Sequence, residues 1–388
     1  MQCDLTGAQI LRPGGLVQDV VSLSDGVFVE TPQNRRIDLS GYWVLPGIID
    51  LHGDGFERHL APRRGAVRNL GAGLVATEAE LAANGITTAV LAQFYSWEGG
   101  MRSPEFALAF LSAWLDMAGH FDTDLSVQLR FETHMLDHYT RFYDLVCRFQ
   151  VPYVVFNDHL PHRSLAAGKK PPRLTGQALK SGRNPQEHLR LLAEMHSRSS
   201  EVPAALQGLA RRLQARETLL GSHDDADAAA DALARGLGAI VSEFPETEAA
   251  AEAAATTQRS VVLGAPNVVR GGSHNGNVSA ADMARRKLCC ALASDYHYPS
   301  LRFAALALAE DIGLTRAWGL ISSGPARILG LSDRGALEIG MRGDFVVLDP
   351  DSQRVMATFA KGRPSYLTGA AAARVRSPLR RGAGPTRF

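Results

Sequence analysis

The sequence predicts an α/β protein: a closed (β/α)8 (TIM) barrel with a small β-sandwich module built from both chain ends. Three observations carry this. Eight apolar, β-branched runs alternate with Ala- and Leu-rich stretches of helical period. Short strand-like pieces punctuated by Gly and Asp occur at both ends of the chain. Histidines and carboxylates gather directly after the apolar runs, where a barrel of this kind places its chemistry.

The eight runs are Val44–Leu51, Ile86–Ala92, Leu125–Phe131, Pro152–Phe156, Thr218–Gly221, Gly238–Phe244, Ser260–Gly264 and Leu288–Ala293. Helical periodicity lies between them, at Thr77–Asn84, Pro104–Met117, Pro185–Arg216, Asp225–Arg235 and Ala280–Lys287. A count of eight favours closure over an open sheet. The terminal pieces, Val17–Leu23, Gly26–Val29 and Tyr42–Leu45, find counterparts in residues 335–368, so a β-module of 1–45 and 335–368 should flank a barrel of 46–334. The Arg-, Gly-, Ala- and Pro-rich end, 369–388, reads as a disordered tail.

Composition narrows the function classes. A chain of 388 residues, 45% hydrophobic, can bury one large core. Its 41 Lys+Arg against 40 Asp+Glu give no global field that would draw it to nucleic acid or to a membrane. No apolar stretch is long enough to span a bilayer, and the first residues lack a secretory pattern. Cys3, Cys147, Cys289 and Cys290 form no CxxC pair and read as reduced thiols. A cytoplasmic location and a small-molecule substrate follow as expectations, with a homo-oligomer left open.

The chemistry is concentrated at strand ends. The first run leads into His52-Gly-Asp54, the third into Glu132 and His134, and the fourth into Asn157-Asp158-His159. The fifth leads into Ser222-His223-Asp224-Asp225 and the eighth into Ser294-Asp295-Tyr296-His297. Alternation along a strand places His52 and Asp54 on one side, and Gly53 and Gly55 are expected to clear room beside them. Imidazole with carboxylate suits zinc, with manganese or iron as alternatives. So many groups exceed the needs of one tetrahedral ion and point to two divalent ions bridged by a carboxylate. His134 is an alternative or additional ligand to Glu132. His297 reads as a neighbour of the ligands or as exposed. His59, His162 and His274 read as substrate-facing or structural, and His120, His138, His188 and His196 as structural.

The seventh run opens a hydrogen-bonding loop, Gly264–Asn277, holding Asn267, Arg270, Gly271, Gly272, Ser273 and His274. Exposed backbone N–H groups and the Arg270 fork suit phosphoryl or carboxylate oxygens, and Arg58 stands on the rim near the first cluster. A second basic stretch, 162–183, is either a lid over an anionic substrate or a solvated connection.

The stretches Pro46-Gly-Ile-Ile-Asp-Leu-His52 and Met341-Arg-Gly-Asp-Phe-Val-Val-Leu-Asp349 resemble the amidohydrolase superfamily. Within it, Ser222–Asp225, Glu243-Phe-Pro245, Gly264–His274 with Gly276-Asn277, and Ser294-Asp-Tyr296 resemble the diphosphatases of the carbon–phosphorus lyase pathway. The resemblance spans nearly the whole chain. It implies a metal-dependent hydrolase in which His52, Asp54, Glu132, His159, His223 and Asp295 hold two ions, with Glu132 bridging. Asp295 would be the catalytic base, and a metal-bridging hydroxide would attack a ribose 1-alkylphosphonate 5-triphosphate to release diphosphate. The alternative is an amidohydrolase cleaving a C–N bond, an amide or cyclic amide, in a small anionic substrate. The chain departs from the pattern at Gly53 and Gly55, at Leu160-Pro-His-Arg-Ser164, and in the basic excursion that follows.

Overall fold

The computed structural model describes residues 1–61, 69–272 and 278–376. Eight parallel strands follow one another around the molecule in chain order. They are β1 (Ile48–Gly53), β2 (Ile86–Tyr95), β3 (Asp124–Glu132), β4 (Tyr153–Asn157), β5 (Leu219–His223), β6 (Val241–Glu243), β7 (Ser260–Gly264) and β8 (Ala291–Ala293). β1 and β8 meet through a bridge between Gly53 and Asp295. The Asp54 N–H donates to the Asp295 carbonyl at 2.8 Å, and the Asp295 N–H to the His52 carbonyl at 3.1 Å. Buried Asp50 completes the closure by accepting from the Ser294 N–H at 3.0 Å and the Ser294 hydroxyl at 2.5 Å. The barrel thus closes on the segments that carry the first and last site residues.

The barrel interior is filled by side chains, among them Leu51, Val90, Val155, Val241, Val262 and Ala291. Helices cover the outside, and their first turns are fixed by side-chain caps. Ser103 accepts from the Phe106 N–H, Asn184 from Glu187 and Asp227 from Ala229, with Pro104 and Pro185 in the first turns of their helices. The long helical pattern from Pro185 divides into Pro185–Ser197 and Val202–Gln214 around a short 3₁₀ turn, Ser199–Glu201. Pro203 fits the first turn of the second helix, where its missing N–H costs nothing.

The chain ends form two further sheets. One orders Val27–Val29, Val21–Ser24, Cys3–Thr6 and Arg36–Asp38. The other orders Arg363–Leu367, Val355–Ala360, Phe345–Leu348, Trp43–Pro46, Gln9–Arg12 and Gly15–Gln18, so both ends share it. Cys3, Leu5, Ile10, Leu23, Phe28, Val44 and Phe359 pack in one core, with Phe345 stacked on Phe359 at 4.4 Å between centroids. A helix, Gly369–Arg376, follows, with Ala371 and Val375 buried against this module. Asp124, which opens β3, receives Arg334 at 2.6 Å and Arg342 at 2.7 Å, tying the C-terminal segment to the barrel.

Candidate metal centre

His52, the last residue but one of β1, is fully buried. Its Nδ1 lies 2.7 Å from Glu243 Oε2 on β6. The other Glu243 oxygen accepts from Gln128 Nε2 at 2.7 Å and the Tyr153 hydroxyl at 2.6 Å. Burial alone would raise the Glu243 carboxyl, but the His52 and His223 rings and the Tyr153 hydroxyl outweigh it and hold the group ionised. An ionised Glu243 accepts, so His52 donates from Nδ1, which leaves Nε2 as the ring atom open to an ion. That Nε2 is buried without a partner, and so is the Nε2 of His223. Two orphaned buried imidazole nitrogens, one oriented from behind by a carboxylate, are what metal ligands present. Burial, and then the Arg130 charge, push the His223 ring down to about 4, which keeps its lone pair free at neutral pH.

The remaining groups continue this arc. The two rings lie 5.3 Å apart between centroids, and Phe244 meets both edge-on at 5.0 Å. His223 Nδ1 is 3.0 Å from Asp224 Oδ2, which lies 3.7 Å from His159 Nε2. Glu132, at the end of β3, accepts from the His159 backbone N–H at 3.1 Å and pairs with its ring Nδ1. Against the pull of burial, the Glu132 charge raises the His159 ring to about 10. Glu98 approaches the same pair within ligand reach. Burial, and then the Asp54 charge, push the Asp295 carboxyl up to about 6.

Part of this arc opens on a cavity of about 300 Å³ at the carboxyl ends of the strands. It is lined by Asp54, His159, His223, Asp224 and Asp295 on one side and by Arg102, Arg130 and Arg270 among others. Arg130 is buried; its guanidinium lies 3.9 Å from the Phe94 ring centroid, and that of Arg102 lies at the same distance from the same ring. With its amide oxygen turned toward β3, Asn157 accepts from Arg130 Nε at 3.2 Å and from a terminal nitrogen at 3.1 Å.

Several residues fall elsewhere than the sequence led one to expect. His134 does not join Glu132: β3 ends at Glu132, and a turn closed by the Met135 N–H on the Glu132 carbonyl swings His134 toward Asp158 and Ser199. Asp225 faces away from the mouth into a buried cluster with Arg259, Ser222 and Ser242. Arg58 does not line the cavity, because it donates to the Tyr296 carbonyl and pairs with Glu80. Asn267 lines it but uses both ends of its amide on backbone, donating to the Val278 carbonyl and accepting from the Ala280 N–H. Arg270 holds the Tyr296 hydroxyl at 2.8 Å. Gly271 and Gly272 have φ of 76° and 148°, which permits the turn there. Ser273 and His274 lie outside the described residues.

The chain is 34% identical over 332 residues to the alpha-D-ribose 1-methylphosphonate 5-triphosphate diphosphatase of Escherichia coli (strain K12), covering 81% of this chain and 85% of that protein. It belongs to that diphosphatase family, within the amidohydrolase superfamily. No family model matches. Among solved structures, a triazine hydrolase variant aligns with a TM-score of 0.61 at 13% identity, over 97% of this chain and 100% of its own. The dihydropyrimidinase from Brevibacillus agri NCHU1002 aligns with a TM-score of 0.51 at 15% identity, over 94% and 95%. At such identity these share the fold alone. Membership of the diphosphatase family makes the chain a metal-dependent hydrolase.

Two departures from the family pattern acquire a structural reason. Gly53 and Gly55 do not clear room beside the site. A Cβ on Gly53 would stand 2.7 Å from Asp50 Oδ2, 2.8 Å from Ser294 Oγ and 2.9 Å from the Tyr298 ring. One on Gly55 would stand 2.9 Å from Arg58 and 3.1 Å from the Tyr296 carbonyl. Both glycines serve the tight β1–β8 closure. In the other departure, Leu160–Ser164, His162 opens a short helix, His162–Ala166, and reaches back to Asp158 at 2.9 Å.

Proposed function

We propose that the chain hydrolyses a phosphoanhydride bond of a ribose 1-alkylphosphonate 5-triphosphate, releasing diphosphate and leaving the 5-monophosphate. The observation that supports this most is the pairing, in one cavity, of His159, His223, Asp54, Asp224 and Asp295 with Arg102, Arg130 and Arg270. A triphosphate is the class of ligand that needs both.

In this reading His52, Asp54, Glu132, His159, His223 and Asp295 would hold two divalent ions, zinc before manganese or iron. Bound ions there would neutralise phosphate charge and make a water acidic enough to attack. Glu243 fixes the His52 tautomer. Asp295, which lines the mouth, takes the proton of the attacking water. Arg130, held over Phe94 and by Asn157, keeps its fork aimed at phosphoryl oxygens as charge moves to the leaving diphosphate. Arg270 steadies the far end of the chain of phosphates. A C–N hydrolase could use the same arc but has no need of so much positive charge.

Steady-state assays with a 5-triphosphorylated ribose phosphonate beside a panel of cyclic amides and acylated amines separate the two. The expected outcome is turnover confined to the triphosphate. Turnover confined to the amides would remove this reading.

A further inference from the structure

We propose that His134, Asp158 and His162 form a second cation site, distinct from the barrel mouth, that takes a divalent transition-metal ion of the zinc class. None of the three lines the mouth cavity. Their nearest ligand atoms lie within 4.8 Å of one another. His134 Nδ1 is 3.4 Å from Asp158 Oδ1, and His162 Nε2 is 2.9 Å and 3.1 Å from the two Asp158 oxygens. Ligands held about 2.0–2.1 Å from a tetrahedral zinc sit about 3.4 Å from each other, which is the spacing of His134 and Asp158, while His162 stands a few tenths of an ångström closer to Asp158.

The hydrogen bonds behind the rings give an independent reason. The Ser199 hydroxyl donates to the His196 carbonyl at 2.6 Å, so toward His134 Nε2, 3.2 Å away, it can only accept. His134 therefore carries its proton on Nε2. Its Nδ1 lone pair then faces a carboxylate oxygen, with only the Thr133 hydroxyl at 3.4 Å as another neighbour. A lone pair set against a carboxylate repels it unless a cation or an added proton lies between. His196 Nδ1 lies 2.8 Å from His162 Nδ1, which holds the ring with its Nε2 on the Asp158 side. Two rings held from behind, each with its other nitrogen turned to one carboxylate, match the way Glu243 holds His52.

The site would join three segments. His134 follows β3, Asp158 follows β4 beside His159, and His162 starts the helix His162–Ala166, with His196 in the helix Pro185–Ser197 and Ser199 in the 3₁₀ turn after it. An ion there would fasten the basic excursion 162–183 to the strand end that carries His159.

The test compares zinc bound per chain, by elemental analysis after equilibration with zinc and removal of excess, in the full-length protein and in His162→Asn. His162 is half exposed, and far-UV circular dichroism checks that the variant is folded. The expected result is one ion fewer per chain in His162→Asn, whatever number the mouth holds. Ser199→Ala keeps all three ligands and should weaken that one ion about 10-fold in a chelator competition. Equal zinc in the wild type and His162→Asn, or a Ser199→Ala competition curve superimposing on the wild type, would overturn the proposal. Because the readout is a difference, it stands apart from any failure of the diphosphatase reading.

Discussion

At the scale of single residues, Arg130 and Glu243 matter most among those the sequence reading passed over. Gln128, Arg130 and Glu132 alternate along β3, so period two alone puts an amide, a guanidinium and a carboxylate on the inner face. That polar stripe was legible. The apolar residues that alternate with it, Val127, Leu129 and Phe131, mask it in the hydrophobic pattern. Arg130→Met should keep the metal content and lower kcat/KM for diphosphate release by about 100-fold, as loss of one charged stabiliser of a transition state does. Unchanged kcat/KM would remove Arg130 from the site. Glu243 was visible in a motif but could not be assigned, because its partner His52 is 191 positions away. Glu243→Gln should weaken metal binding by about 10–100-fold in a chelator competition while leaving the fold intact.

At the scale of elements, the strand ends carry the strain and the chemistry together. Asp224, Phe244 and Asp295, which directly follow His223, Glu243 and Ser294, all have left-handed backbone, with φ of 59°, 52° and 55°. Non-glycine residues there cost on the order of 1–3 kcal/mol each and persist where surroundings over-determine them. Here each N–H reaches across to a neighbouring strand segment, to the Glu243, Val262 and His52 carbonyls respectively. The ladder thus continues past the strand ends while the side chains are re-aimed. Such conformations are not readable from residue type, Phe244 least of all. The same applies to Gly53, where the sequence suggested open space and the packing shows none. Gly53→Ala should destabilise the protein by about 1–3 kcal/mol through crowding of Asp50, Ser294 and Tyr298. A melting temperature equal to the wild type would contradict that packing.

At the scale of the whole molecule, the barrel was legible because eight apolar runs alternating with helices leave few other arrangements. Pairing of the two chain ends in one sheet was suggested by their likeness, but its register was not, since Phe345 opposite Pro46 joins residues 299 apart in chain order. The joint between module and barrel is electrostatic as well as apolar. Although burial opposes it, the hydrogen bonds and charges of Arg334 and Arg342 hold the Asp124 carboxyl down at about 2. Because its folded value lies below its unfolded one, this contribution is full above about pH 4 and fades as pH falls toward 2. Asp124→Asn should therefore lower the melting temperature at pH 7 and flatten its fall between pH 4 and 2. A variant profile parallel to the wild type would show that the joint does not depend on the charge.

The central claim is that this mouth, with its arc of imidazoles and carboxylates facing three arginines, cuts a triphosphate between its α and β phosphorus atoms. Phosphorus NMR of the metal-loaded protein with a ribose 1-methylphosphonate 5-triphosphate tests it most directly. The account predicts that diphosphate and the 5-monophosphate signals grow together in equal amount, with the phosphonate resonance retained. Orthophosphate with a 5-diphosphate, or an unchanged triphosphate spectrum, would contradict it.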